Sequence, residues 1–143
     1  MSHAYDDDFY TWTKTQADAL RRRSANELDW DHIGEELDAL GRTEERELGS
    51  RYRVLLAHLL KWIVQTERRS RSWELTILNQ RDELSVHLGK NPGLKRVEID
   101  EFAVAYRQAR RDAAIETGLE LDRFPETPPF TMDQAKDEHW WPA

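Results

Sequence analysis

Residues 48–63, LGSRYRVLLAHLLKWI, decide the fold of this chain. Large apolar side chains recur there at steps of four, three, four and three residues, a spacing that places them along one face of an α-helix. These positions are Leu48, Tyr52, Leu55, Leu59 and Trp62. Leu56, Leu60 and Ile63 widen the face enough for it to contact several partner helices. The stretch therefore predicts a central helix with the other helices of the domain packed around it.

The composition fits one domain that spans residues 1–143. A chain of this length buries roughly two thirds of its unfolded surface, which is enough for a core without cross-links. It contains no cysteine, so a disulfide framework and a thiolate metal site are excluded. No apolar run approaches the roughly 20 residues that cross a bilayer, and the acidic N-terminal residues lack a secretory apolar segment. We therefore expect a cytoplasmic protein that does not enter a membrane.

The charges are unevenly spread along the chain. The net charge is −7, with −7 in residues 1–50, +6 in residues 51–111 and −6 in residues 112–143. Sixteen of the 21 basic residues are arginine, which pairs with carboxylates and phosphates through two parallel hydrogen bonds. The acidic total disfavours general nucleic-acid binding. We therefore expect the acidic outer helices to lie against the basic middle of the chain.

Two helices are predicted in the first half of the chain, and the second of them contains residues 48–63. Aspartates at 6–8 can start a helix that continues to about residue 24. A second helix is predicted from about residue 30 to 65, in one piece through Gly41, although a turn at this glycine is the alternative. Its first half has its own predicted core stripe, at Ile33, Leu37 and Leu40.

Two more helices are predicted after it. Ser70 or Ser72 can cap the first, and the Asn-Pro-Gly sequence at 91–93 ends it. The last long helix is predicted over 94–117, with Gly118 as its C-terminal cap.

The final segment, residues 118–143, is rich in proline and aromatic residues. Its prolines forbid a long helix, while Thr131 and Gln134 fit the capping box of a short one. Its aromatic residues favour packing around the bundle over a proline-rich ligand for another domain. The fold class is therefore all-α: a four- to five-helix, mainly antiparallel bundle closed by this irregular segment.

No motif for catalysis or for a metal or cofactor is present. None of the five histidines follows a glutamate by three positions, and no two lie four apart on one helix. There is also no Gly-x-Ser-x-Gly sequence and no glycine-rich phosphate loop. The sequence thus identifies no catalytic residue, cofactor or metal ligand. A metal site built from separate helices, with His58 and His87 joined by carboxylates, stays open.

A polar and aromatic cluster is predicted around the turn that follows the central helix. Positions 36, 47 and 58 are 11 residues apart, close to three helical turns, so they share a face if the helix is continuous. Arg69 and Arg81 can pair with those carboxylates from the neighbouring helix. The cluster either fixes helix register or binds a small anion or a peptide. Its members are Glu36, Glu47, His58, Lys61, Arg69, Trp73 and Arg81.

Five ordered blocks of this chain resemble a known family. They are YDDDFYTWTKTQADALR, LDWDHIGEELDALGR, HLLKW, SWELTILNQR and FPETPPF. Together they make the chain similar to the bacterial family called domain of unknown function 29, which is abundant in cyanobacteria. The resemblance implies a helical fold over essentially the whole length and carries no activity. Thr127 stands where the family usually has a cysteine, which argues against a thiol role.

Three functions fit these observations. The first is a non-enzymatic interaction or regulatory domain that forms homo-oligomers or holds another protein. The second is a ligand-binding, metal-binding or catalytic bundle that uses Glu36, Glu47, His58 and Arg69. The third is nucleic-acid binding through the basic stretch from Arg51 to Arg81, which the acidic total opposes. We rank them in this order because no catalytic motif is present.

Overall fold

A computed structural model describes the backbone from residue 3 to residue 143 and the side chains from residue 4. Within this range the chain is helical and has no strand, which confirms the predicted all-α class. The helices are α1 His3–Asp7, α2 Phe9–Arg21, α3 Trp30–Val64, α4 Arg71–Lys90, α5 Glu98–Thr117 and α6 Met132–Lys136.

The residues form two compact units. The N-terminal unit is Met1–Thr43 and contains α1, α2 and the first part of α3. The C-terminal unit is Glu44–Ala143 and contains the rest of α3 and all later helices.

The N-terminal unit is held together by short-range caps and a small core. Asp8 caps α2 as predicted, because its carboxylate accepts a hydrogen bond from the Thr11 backbone nitrogen at 3.0 Å. On α2 only Trp12, Gln16 and Ala19 are buried. Such a small set of buried side chains contributes little hydrophobic stabilisation to the unit.

Helix α3 is one continuous helix through Gly41, as predicted. The predicted core stripe in its first half is wrong, however, because Leu37 and Leu40 are each 63% exposed. The contacts of α1 and α2 explain this result. Tyr5 stacks on the ring of His32, on a different side of α3 from the two leucines, which therefore face solvent.

The core of the C-terminal unit lies among α3, α4 and α5. His87, near the end of α4, contacts Glu44 of α3, whereas Trp73 at the start of α4 contacts Lys61, so the two helices run antiparallel. Tyr52 contacts Glu98 at the start of α5, whereas Lys61 contacts Glu116 at its end, so α3 and α5 run parallel. The apolar face of residues 48–63 is central to this core. Its members Leu48, Tyr52, Leu55, Leu56, Leu59 and Leu60 are completely buried.

The helices of this unit begin and end at positions set by residues close to them in sequence. Ser70 caps α4 by accepting from the Trp73 nitrogen at 3.2 Å. Helix α5 begins at Glu98 and not at residue 94 as predicted, because Pro92–Arg96 forms a 3-10 turn. Gly118 ends α5 with φ of 72°, a left-handed conformation that glycine adopts without a Cβ penalty.

The segment after α5 packs back onto the bundle. Phe124 and Phe130 are buried, and Trp140 and Trp141 pack against the core while remaining partly exposed. Helix α6 begins with the predicted capping box, in which Thr131 and Gln134 exchange hydrogen bonds at 3.0 Å.

Candidate functional site

The predicted polar cluster does not form one site. Glu36 belongs to the N-terminal unit, where its carboxylate accepts a hydrogen bond from the hydroxyl of Tyr5. This bond raises the pKa of Tyr5 to about 12. The other six members belong to the C-terminal unit, where they make three separate groups.

The first group is a stack of arginine and tryptophan side chains. The Cζ of Arg69 lies 4.8 Å from the ring centre of Trp62, and the Cζ of Arg81 lies 5.2 Å from that of Trp141. The two tryptophan rings pack on each other with centres 4.8 Å apart. Each guanidinium therefore gains a cation–π contact, and the stack fixes the C-terminal segment against α3 and α4.

Both arginines donate to main-chain oxygens instead of side-chain carboxylates. Arg69 donates from Nε to the Trp62 oxygen at 2.8 Å and from Nη2 to the Ala143 oxygen at 2.9 Å. Arg81 donates from Nε to the Ala135 oxygen at 2.8 Å. The expected pairing with the carboxylates of α3 is thus wrong for these two residues, because main-chain oxygens of α3 and of the C-terminal segment are their acceptors.

Arg81 has unused hydrogen-bonding capacity. The residue is only 3% exposed, and its Nη1 and Nη2 atoms are buried without a partner among the described residues. Burial lowers the pKa of this guanidinium, and the negative charge of Asp137 acts in the opposite direction. Arg81 also lines an open pocket of about 440 Å³, together with Lys95 and Lys136.

The second group surrounds Lys61. Its Nζ lies 5.3 Å from the ring centre of Trp73 and 3.6 Å from a carboxylate oxygen of Glu116. His58 lies one turn earlier on α3, where its Nδ1–H donates to the Val54 carbonyl at 2.9 Å. Burial lowers the pKa of His58, so the neutral imidazole is favoured.

The third group joins Glu47 to two residues outside the predicted cluster. His87 Nδ1 lies 3.2 Å from the Glu47 carboxylate, and His87 Nε2 donates to the backbone carbonyl of Glu44 at 3.0 Å. One ligand atom from each of the three side chains lies within 4.8 Å of the others, so the group could hold a divalent metal. Direct contacts of the His87 ring with both glutamates account for the same arrangement without a metal.

A further buried polar group, centred on Glu98, was not predicted from the sequence. Glu98 is buried, and one of its oxygens accepts hydrogen bonds from the Tyr52 hydroxyl at 2.5 Å and from Lys136 Nζ at 2.8 Å. The carboxylate is thus neutralised and hydrogen-bonded away from water. Tyr52 and Glu98 are 46 residues apart, and no motif signals their contact.

The N-terminal unit has its own polar group beneath Tyr5. The Asp29 carboxylate lies 2.7 Å from His32 Nδ1 and accepts a hydrogen bond from Trp12 Nε1 at 3.0 Å. The hydrogen bond to Asp29 raises the pKa of His32. These groups satisfy one another, so the arrangement fixes the contact between α2 and α3.

A family model described as "domain of unknown function DUF29" matches residues 4–141. The chain belongs to this family. The match to DUF29 spans nearly the whole sequence and confirms the resemblance, and its description assigns no activity. No curated protein and no solved structure shows significant similarity to this DUF29 chain. Among its described residues, no helix combines the length and the apolar composition that a membrane span requires.

Proposed function

We propose that this DUF29 chain is a helical interaction domain that forms a homodimer through the first part of α3. The proposal rests on a stripe of apolar side chains on α3 that is exposed to solvent. Trp30 is 64% exposed, and Leu37 and Leu40 are each 63% exposed. Large apolar side chains at regular spacing on one helix favour an interface with another helix.

The spacing of the stripe favours a second helix of the same kind. Trp30, Ile33, Leu37 and Leu40 follow one another at steps of three, four and three residues. These are the a and d positions of a heptad repeat, which two helices of equal sequence can share. We therefore propose that this stripe packs against the same stripe of a second copy of the chain.

The residues that flank the stripe support a parallel pair. Gly34 and Gly41 lie at the e positions, and a Cβ added to either would meet nothing within 4 Å. In a parallel pair they lie opposite the g positions, which are Asp29 and Glu36. These carboxylates are hydrogen-bonded within their own copy, and across the pair each position lies opposite a glycine and not another carboxylate.

The small core of the N-terminal unit is a second support. A unit of about 40 residues rarely buries enough apolar surface to be stable alone. Burial of Trp30, Leu37 and Leu40 in a dimer would add to the few side chains that α2 buries.

The test is the molar mass in solution, measured by sedimentation equilibrium between about 1 and 100 μM. We expect a dimer for the original chain and a monomer with unchanged helix content for Leu37→Glu, because a charge at an a position would be buried unpaired. Leu75→Glu is the matched control, since Leu75 is 59% exposed on α4. A chain that stays monomeric over this range, or a Leu37→Glu variant that stays dimeric, contradicts the proposal.

Orientation can be tested separately because the chain has no cysteine. In a parallel pair the two copies of position 40 meet, so Leu40→Cys should form an intermolecular disulfide under mild oxidation. Leu75→Cys should not cross-link. A dimer in which Leu40→Cys remains reduced contradicts the parallel arrangement.

A further inference from the structure

We propose that the pocket lined by Arg81, Lys95 and Lys136 binds a small organic phosphate. This site lies in the C-terminal unit and is independent of the stripe on α3. None of the comparisons assigns it. The argument rests on an unpaired buried guanidinium, on the charges that line the pocket and on its apolar wall.

The guanidinium of Arg81 is the central observation. Its Nε is paired with the Ala135 carbonyl, but Nη1 and Nη2 are buried and have no acceptor among the described residues. Buried donors are nearly always paired, and an unpaired one in a charged group is especially unfavourable. The contact with the Trp141 ring offsets part of this penalty but gives neither nitrogen an acceptor. A bound oxyanion would supply acceptors for both.

The charge around the pocket favours an anion. Lys95 is exposed and makes no ion pair among the described residues, so its ammonium is available. Lys136 donates to Glu98, whose carboxylate is buried and already shared with Tyr52. No aspartate or glutamate is among the described residues that line this pocket. An anion there would meet the ammonium of Lys95 and the charges of Arg81 and Lys136. Two carboxylates act on these cations from outside the lining, Glu98 on Lys136 and Asp137 on Arg81.

The size and the apolar wall of the pocket indicate a ligand that is larger than an inorganic ion. Its volume of about 440 Å³ is within the range of small-molecule sites. Leu84, Leu88 and Pro92 form an apolar part of the wall. A phosphate group suits the forked donors of arginine, and an organic body suits the apolar wall. The ligand class is therefore a phosphomonoester with a small apolar body.

Binding must also move Trp141. Its ring lies against the guanidinium, whose terminal nitrogens have almost no accessible surface. We expect the ring to shift when a ligand reaches these nitrogens. Binding should therefore change tryptophan emission, and the Trp141→Phe variant should lose that change while it still binds.

The first experiment uses phenyl phosphate, inorganic phosphate and benzoate as probes, titrated by calorimetry at matched ionic strength. We expect saturable binding in the order phenyl phosphate, inorganic phosphate, benzoate. Benzoate that binds as tightly as phenyl phosphate contradicts the phosphate class. Binding of phosphate no tighter than that of chloride overturns the site, and Arg81 is then satisfied by structural contacts alone.

The second experiment locates the site without risking the fold. Lys95→Gln should weaken phenyl phosphate binding by roughly three- to tenfold, because it removes one charge-assisted contact. Arg96→Gln is the matched control, since it removes the neighbouring exposed charge, which does not line the pocket. Equal affinities for these two variants would place the anion elsewhere.

A third variant closes the pocket without changing any charge. Gly89 lines the pocket within α4, and a Cβ added there would meet nothing within 4 Å. Gly89→Leu should therefore keep the fold and abolish phenyl phosphate binding by occupying the space. Unchanged affinity in a folded Gly89→Leu variant overturns the proposal. This variant avoids substitution of Arg81, whose loss could unfold the unit.

Discussion

At the scale of single residues, two histidines lie in opposite surroundings. His32 bonds to Asp29, and this bond raises its pKa above the ordinary value of 6.5. His58 is partly buried beside Lys61, and the loss of hydration lowers its pKa below 6.5. One imidazole therefore favours its charged form in the folded state, and the other favours its neutral form.

Titration of the ring protons by NMR should show His32 with the higher pKa. Its contribution to stability is present below 6.5 and is lost as the pH rises through its folded pKa. The contribution of His58 has the opposite sign: stability is present above 6.5 and is lost as the pH falls through its folded pKa. Asp29→Asn should lower the pKa of His32 and leave that of His58 unchanged. A higher pKa at His58 than at His32 would refute this assignment.

Sequence reasoning predicts residues at this scale when the interaction is local. Caps were predicted among the aspartates at 6–8, at Ser70 or Ser72, and at Gly118, and the structure uses Asp8, Ser70 and Gly118. A cap can be predicted because it needs only its own backbone and neighbours three or four residues away. The contact between Tyr52 and Glu98 joins positions 46 residues apart, and either residue alone fits many environments. Such contacts depend on how helices pack, which periodicity does not specify.

At the scale of elements, α3 shows what an apolar stripe does and does not predict. The stripe is buried at Leu55 and Leu59 and exposed at Leu37 and Leu40. Periodicity correctly predicted one long helix and its apolar face. It could not predict the exposure of Leu37 and Leu40, because apolar spacing is the same whether an intramolecular helix or a second chain covers the face.

Leu59→Ala should lower the free energy of unfolding by about 2–5 kcal/mol, measured by urea denaturation. Leu59 is completely buried, so truncation removes apolar contacts and leaves a cavity. Leu75→Ala, at a position 59% exposed, should change stability by about 0.5 kcal/mol or less. Equal losses from the two substitutions would mean that the apolar face of α3 is not the core.

At the scale of the whole molecule, apolar periodicity and the helix-capping residues were enough to predict an all-α protein. The candidate site was harder to predict. Arg69 and Arg81 were identified from their residue type, but one acceptor of Arg69 and the acceptor of Arg81 lie 74 and 54 residues away. The predicted pairing with carboxylates used the nearest partners along the helices and missed the C-terminal carbonyls.

The double substitution Trp140→Ala and Trp141→Ala should destabilise the C-terminal unit by roughly 2–5 kcal/mol. It removes the ring contacts with Phe130 and Trp62 and uncovers the guanidinium of Arg81. Thermal unfolding followed by circular dichroism measures the loss. Trp30→Ala is the control at an exposed position, studied at a concentration low enough for a monomer. A double variant as stable as this control would show that the final segment adds little to the fold.

The late position of these aromatic residues also matters during synthesis. Helices α3 and α4 leave the ribosome before Trp141, whose ring contacts both of them in the folded protein. Until then Trp62 and Arg81 lack their native neighbours on the nascent chain. Exposed apolar surface on incomplete chains is what chaperones bind. The need for a chaperone should therefore be greatest late in translation, after all the long helices have emerged.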